Sequence, residues 1–346
     1  MVLRVTARLR SAAQEWPHRD DPGAVARLRS AAQAWLHRDD PGAVARLLAR
    51  GTAAVARRRA AVARARAEVP TIVVGGLSVG GAGKTPVVAL LARRIGARRR
   101  VAVVGHGYGG RIRGAAVVEA PDAVWFGDEA AALRRALPAA VRVVAGARRA
   151  AYALAAGWAE VVIVDDGFQD PALPRTLDVV VVDATAGRLP FPAGPLREGL
   201  SALGRADVVW LHKVDEPGAQ ALPVAADVQS RVVIGAVRLA DGRRVGAEWL
   251  AGRALRPICG IGRPGSFLHT LAAAGAVVEP GVMRADHHRF TAAELARLPA
   301  GAPWVTTSKD AERLPAGFAA VVEVEPSIVR GEAALAALVE RFGGAP

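Results

Sequence analysis

From residue 70 onward the chain alternates short, uninterrupted apolar runs with Ala-rich stretches of helical character. TIVVGGL (71–77), VAVVGHG (101–107), VRVVAG (141–146), EVVIVDDG (160–167), LDVVVVDA (177–184) and DVVWLHK (207–213) read as strands buried on both faces. Separated by helical segments of about 10–20 residues, such runs predict parallel βαβ units with helices on both faces of a sheet. The run RVVIGAVRLADGRRVG (231–246) breaks this rhythm, because two strand-like runs flank Asp241-Gly242, a hairpin signal. Beyond it, RPICGIG, PWVTTSKD and AAVVEVEP supply strands of a smaller α/β unit.

The expected organisation is therefore a basic helical N-terminal arm (1–69), a mostly parallel α/β domain of P-loop NTPase type (70–228), and a hairpin linker with a smaller C-terminal α/β domain (229–346). The arm carries a tandem duplication: RLRSAAQEWPHRDDPGAVA (8–26) recurs as RLRSAAQAWLHRDDPGAVA (27–45). Two copies are too few for a solenoid, so the first copy is expected to be dispensable. Each DDPG offers a helix start, with aspartate as N-cap and proline at the first helical position. The helix from Asp40 would set Val44, Leu47, Leu48 and Val55 among Arg46, Arg50 and Arg57–Arg59, a pattern suited to a membrane interface or to a solvated Ala/Arg helix.

Charge sharpens the picture. The formal net charge is +14, of which residues 1–70 hold +8 (14 Arg against 6 Asp+Glu). A basic arm calls for an anionic surface. With no zinc-finger, helix-turn-helix or aromatic RNA-binding pattern and only 5% aromatic residues, a bilayer is expected and nucleic acid is not. No apolar run reaches the ~20 residues of a spanning helix. The single Cys259 leaves no internal disulfide and reads as a small core residue.

Of 46 Lys+Arg, three are lysine: Lys84, Lys213 and Lys309, each placed just after an expected strand. Where arginine has displaced nearly every lysine, the survivors mark positions needing a compact ammonium in place of a planar fork. Lys84 lies in Ser78-Val79-Gly80-Gly81-Ala82-Gly83-Lys84-Thr85, which matches G-x-x-x-x-G-K-[ST] except that Ser78 replaces the first glycine. Strand, glycine loop and helix follow in the order that wraps backbone N–H groups around phosphate oxygens. Lys84 would reach the β/γ-phosphates of a nucleotide and the Thr85 hydroxyl would ligate Mg²⁺. In VVIVDDGFQD, Asp165 and Asp166 end an apolar strand where this fold places a magnesium-binding carboxylate.

Other candidates are less specific. Asp128 and Glu129 open a helix, and N-capping alone would account for Asp128. His287 and His288 follow Asp286, as metal ligands lacking a completing cluster or as a carboxylate-tuned proton acceptor. Arg197 could clamp a phosphate, with Glu198 beside it.

In order, VPTIVVGGLSVGGAGKTP, GYGG, GDE, VDDGFQ, PAGPLRE, DHHRFT and TSKDAERLP resemble the tetraacyldisaccharide 4′-kinases of lipid A biosynthesis, from about residue 69 to the C-terminus. That family's loop carries Ser or Thr where Ser78 stands. The resemblance implies ATP- and Mg²⁺-dependent phosphorylation of the 4′-hydroxyl of tetraacyldisaccharide 1-phosphate, giving lipid IVA. It implies a peripheral enzyme, expected to be a monomer, on the cytoplasmic face of the bacterial inner membrane. It also implies Lys84 and Thr85 as loop residues, Asp165 and Asp166 on the magnesium side, and Asp128 with a histidine of DHH as base. Arg197 and Glu198 match further active-site positions, with Glu198 expected at the metal. Gly76, His106 and Asp170 depart from the family's usual Asn, Arg and His, and the arm is richer in Ala and Arg.

Two rival readings remain at this point. LHKVD resembles the guanine-reading N-K-x-D of GTPases, with His212 in place of asparagine. A membrane-recruited ATPase switch would carry a lysine where Val79 stands.

Overall fold

The computed structural model describes residues 42, 45, 46, 49, 51, 67–78, 81–286, 288–299 and 303–344. The duplicated segment 8–45 lies outside them except for Gly42 and Ala45, as do the loop residues Val79 and Gly80 and the candidate His287. In chain order the first half runs β1 (Thr71–Gly76), α1 (Lys84–Gly96), β2 (Val101–Gly105), β3 (Ala115–Val117), α2 (Ala123–Phe126), α3 (Asp128–Ala136), β4 (Arg142–Gly146), α4 (Arg148–Ala156), β5 (Val161–Asp165), β6 (Leu177–Asp183) and β7 (Val208–His212). The second half runs β8 (Val228–Arg238), β9 (Arg244–Val245), β10 (Ala254–Cys259), α5 (Pro264–Ala273), β11 (Val277–Val278), β12 (Val282–Met283), α6 (Ala292–Ala296), β13 (Trp304–Thr307), α7 (Ser308–Ala311), β14 (Ala320–Arg330) and α8 (Glu332–Gly343).

The strands join in the order β11-β10-β13-β14-β8-β7-β6-β1-β5-β2-β4-β3, with β12 beside β10 and β9 beside β8. The pairs around β1 are parallel, and β3–β4, β8–β9 and β8–β14 are antiparallel. The continuous apolar runs have the expected cause, since successive residues of β1 serve opposite faces of the sheet. Ile72 and Val74 pack with Leu91 and Ile95 of α1, Leu133 of α3, and Leu338 and Phe342 of α8. Val73 packs on the other face with Ala151, Tyr152 and Ala155 of α4. The last helix thus returns to seal the core of the first half.

The run expected as a hairpin linker does more than link. It forms β8 and β9 around Asp241-Gly242, as the pattern implies, but β8 begins at Val228 and is itself part of the sheet. Its first three residues pair with β7, and most of its length pairs with β14. Between these zones, residues 231–236 face 323–327 of β14 in a section two strands wide. A bulge at Glu323/Val324 and Pro326 both fall there; proline costs little on a strand with one open edge.

Gly42, Ala45, Arg46, Ala49 and Gly51 are helical, as expected for the segment following Asp40. Ala45 and Ala49, one turn apart, pack on Ala193 of the Pro/Gly loop before Arg197. No helix among the described residues is long and apolar enough to cross a membrane.

Candidate active site

The loop after β1 closes onto α1 through two left-handed glycines, Gly81 (φ 63°) and Gly83 (φ 79°). At Gly83 a β-carbon would collide with the His212 ring, so both φ and space demand glycine. Ser78 has no such demand. It forms an extended backbone bridge to Leu196 and does not adopt positive φ, so a residue with a side chain fits the loop's first position. Helix α1 starts with no acidic residue in its first turn and no side-chain cap, which leaves its positive end open to an anion. Ala82 is buried beneath the turn.

Around that helix end the structure gathers four of the expected residues. Thr85 Oγ1 donates to Asp165 Oδ2 at 3.2 Å, and Lys84 Nζ lies 3.2 Å from Asp166 Oδ1. Burial, with the negative charges of Glu129 and Asp166, outweighs Lys84 and Thr85 and pushes the Asp165 carboxyl up to about 7. Its Oδ1 is buried and without a hydrogen-bond partner among the described residues. Such a carboxylate beside a threonine hydroxyl fits a divalent cation, whose charge would offset the cost of ionising it.

Asp166 behaves differently. It stands in the left-handed region (φ 56°) and turns its carboxylate toward three cations. Arg197 Nη1 donates to both oxygens at 3.2 and 3.1 Å, Lys84 is the second, and Arg148 lies 4.0 Å away while donating to the Asp166 carbonyl at 2.6 Å. Burial alone would raise this carboxyl, but Lys84 and Arg197 outweigh it and hold it below the usual range. Gln169 ties the same loop to β1, Nε2 donating to the Gly76 carbonyl at 2.9 Å.

A second layer under the loop has no counterpart among the sequence candidates except its lysine. Lys213 (φ 65°) donates to Asp183 Oδ2 at 2.8 Å and to the Gly81 carbonyl at 3.0 Å. Arg263, at the start of α5, donates to the same Asp183 oxygen at 2.7 Å, and to the hydroxyl and carbonyl of Thr185. Burial would raise the Asp183 carboxyl, yet Lys213 and Arg263 hold it down at about 2. The sequence signal for Asp183 was present: it ends VVVVD just as Asp165 ends VVIVD. Arg263 gave none, being one arginine among many. His212, adjacent to Lys213, is turned inward, its Nδ1 at 2.8 Å from Ser230 Oγ. Burial and Lys213 push that imidazole down to about 3, so it is a neutral wall behind Gly83 and not a base-reading side chain. The GTPase-like reading of LHKVD thereby loses its support.

Asp128 opens α3 and is held by Arg313, whose Nε donates to Oδ2 at 2.9 Å and whose Nη2 donates to the same oxygen. The DHH segment divides. Asp286 pairs with Lys309 at 3.4 Å, whereas His288 Nε2 meets both oxygens of Glu294 at 3.1 and 3.2 Å. Glu294 also closes a capping box with Thr291 on α6. His288 is thus engaged by Glu294; the expectation was that one of the two DHH histidines pairs with Asp128, and the other, His287, lies outside the described residues. Glu198, expected at the metal, is buried with both oxygens accepting from Arg205 at 2.9 and 3.1 Å, as a buried carboxylate needs a matched cation. No cluster of three His, Cys, Asp or Glu able to hold a metal occurs among the described residues.

Comparison with known proteins agrees with the motif order. Residues 43–342 match the model of the family described as LpxK: Tetraacyldisaccharide-1-P 4′-kinase. A tetraacyldisaccharide 4′-kinase of Anaeromyxobacter sp. strain Fw109-5 is 43% identical over 304 residues, 78% of this chain and 81% of the relative. One from Methylobacterium radiotolerans is 42% identical over 293 residues, 78% of this chain and 84% of the relative. A crystal structure of LpxK from Aquifex aeolicus in complex with ATP superposes with a TM-score of 0.67 at 25% identity, covering 91% of this chain and 99% of that one.

Proposed function

The chain belongs to the tetraacyldisaccharide-1-phosphate 4′-kinase family, and on that premise we propose how its own residues act in lipid A biosynthesis. The reaction moves the γ-phosphoryl group of ATP to the 4′-hydroxyl of tetraacyldisaccharide 1-phosphate, leaving ADP. The observation that carries this reading is the convergence of Lys84, Thr85, Asp165 and Asp166 at the open end of α1.

Phosphoryl transfer asks for positioning and charge neutralisation more than for covalent chemistry. The backbone of Ser78 to Gly83 and the first turn of α1 cradle the phosphates. Lys84 exchanges its pairing with Asp166 for the β/γ-phosphates, and Arg197, which shares Asp166 with it, offsets charge that develops during transfer. Thr85 and Asp165 would hold Mg²⁺, with Asp166 beside them; the ion when bound neutralises phosphate charge. Asp128 takes the proton of the sugar hydroxyl, assisted by a histidine of the DHH segment, in which Glu294 engages the His288 ring. The basic arm keeps this monomeric, peripheral enzyme against anionic lipid on the cytoplasmic face of the inner membrane, where the acceptor resides.

The test is transfer of label from γ-labelled ATP to tetraacyldisaccharide 1-phosphate in detergent micelles with Mg²⁺, alongside Lys84→Met and Asp128→Ala. Lipid labelling that falls by about 10³ or more in each variant supports the reading. ATP bound without any lipid labelling would overturn it. In parallel, Mg²⁺-ADP should raise the melting temperature of the wild type more than that of Asp165→Asn.

A further inference from the structure

We propose that Arg313 is a positioning residue for the proton acceptor, and that Glu312 and Arg313 together grip helix α3 from the C-terminal half of the chain. The inference goes beyond the function proposed above, while resting on its reading of Asp128 as base.

The two residues are consecutive and of opposite charge, and they reach opposite ends of one helix. Arg313 grips Asp128, the first residue of α3, and Glu312 accepts from Arg135 Nε and Nη2 at 2.6 and 3.0 Å. Asp128 and Arg135 are seven residues apart, two turns, so they share a face of α3. Both gripping side chains are buried, Arg313 at 3% and Glu312 at 4% exposure, unlike an ordinary surface ion pair.

Arg313 is itself immobilised from behind. Its Nη1 donates to Asp310 Oδ1 at 3.2 Å and to the Gly260 carbonyl at 3.3 Å. Asp310 is fully buried and bonded to the Thr307 hydroxyl at 2.8 Å. Gly260 in turn packs against Ala285 and His288, so closely that a β-carbon there would lie 3.1 Å from each. One guanidinium therefore connects β10, α7 and the DHH segment to the carboxylate that opens α3. Two N–H groups of a rigid fork aimed at a single oxygen fix where that oxygen sits and leave Oδ1 outside the guanidinium's bonds. Helix α3 supplies no substitute, because its N-cap is Gly127, with no side-chain cap bond.

A proton acceptor held this way is placed correctly only when the C-terminal half is docked on α3, and losing the grip should affect turnover and not nucleotide binding. The experiment measures kcat and KM for ATP, with tetraacyldisaccharide 1-phosphate in micelles, in full-length Arg313→Met, Arg313→Lys, Asp128→Asn, Arg135→Met and the double variants of Asp128→Asn with each arginine change. Arg313→Met should lower kcat about 100-fold with KM for ATP within about twofold, and Arg313→Lys should regain about tenfold of that loss. Because Arg313 acts through Asp128, adding Arg313→Met to Asp128→Asn should cause no further loss, whereas Arg135→Met should multiply with Asp128→Asn. Multiplicative loss for Arg313→Met, or kcat and KM moving together without rescue by lysine, would reduce Arg313 to a structural tie and overturn the inference. If Asp128→Asn keeps wild-type kcat, the base reading falls and this inference falls with it. Should Arg313→Met fail to fold, as circular dichroism would reveal, Arg313→Lys decides alone: unchanged kcat overturns the inference, and a drop at constant KM supports it.

Discussion

Lys213 donates its ammonium to the carbonyl of Gly81 at 3.0 Å, so a residue 132 positions downstream braces the turn of the phosphate loop. The same ammonium is neutralised by Asp183 at 2.8 Å, and Asp183 also receives Arg263 from α5. A guanidinium in place of this lysine would have to fit a plane into a gap that holds a point charge.

This cluster sets a pH dependence. The Asp183 carboxyl is held at about 2 in the fold against an ordinary 3.8. A depressed carboxylate stabilises the fold fully above its unfolded pKa, and the contribution is lost as pH falls through the folded value. Wild-type protein should therefore lose about 2 kcal/mol from this group between about pH 4 and pH 2. Asp183→Asn should be less stable at pH 7 and lack that acid component. Urea melts at pH 7, 4 and 2.5 measure it, and parallel curves for the two proteins would refute the assignment.

Gly83 allows a sharp contrast. Gly83→Ala meets both a left-handed φ of 79° and the His212 ring, and should abolish detectable nucleotide binding. Gly218→Ala meets only the φ of 82°, with open space around it, and should cost about 1 kcal/mol while leaving nucleotide affinity intact. Calorimetric titration with Mg²⁺-ADP distinguishes them; equal affinities would mean that the loop tolerates displacement of His212.

Glu198 and Arg205 should behave as one unit. Arg205→Met leaves a buried carboxylate uncompensated and should cost about 3 kcal/mol, part of which Glu198→Gln recovers in the double variant. The Mg²⁺ dependence of turnover should be the same in Glu198→Gln as in wild type. A large rise in the Mg²⁺ requirement would return Glu198 to the metal.

Deleting residues 8–26 removes one copy of the duplicated segment and keeps the other. Turnover on micellar substrate should stay within about twofold of wild type, while binding to anionic vesicles falls with the lost arginines. Loss of turnover on micelles would show that the first copy serves the chemistry.

Legibility followed the range of the interactions. Strands β1, β2, β5 and β6 could be read because burial on both faces turns them into unbroken apolar runs. Lys84 and Thr85 could be read because one loop and one helix turn set them, and Asp165 because a strand end aims it at that turn. β3 escaped notice: Ala115–Val117 is a three-residue antiparallel edge with no such run. Arg263 and Arg313 escaped because their partners lie 80 and 185 residues away, and a sequence crowded with arginine gives no local sign of which ones are buried. For Glu198 and His288 the resemblance implied metal and base, and it gave no sign of the side-chain partners they have in the fold, Arg205 and Glu294.

The narrowing of the sheet at β8 and β14 has a mechanical consequence. Two strands resist bending far less than the flanking multi-strand sections, so strain between the halves concentrates at this neck as it does at a notch in a plate. The bulge at Glu323/Val324 and the missing amide of Pro326 soften it further. Any bending between the halves would therefore fall on residues 231–236, while the bond between Arg313 and Asp128 ties α3 to the C-terminal half at a distance from that neck.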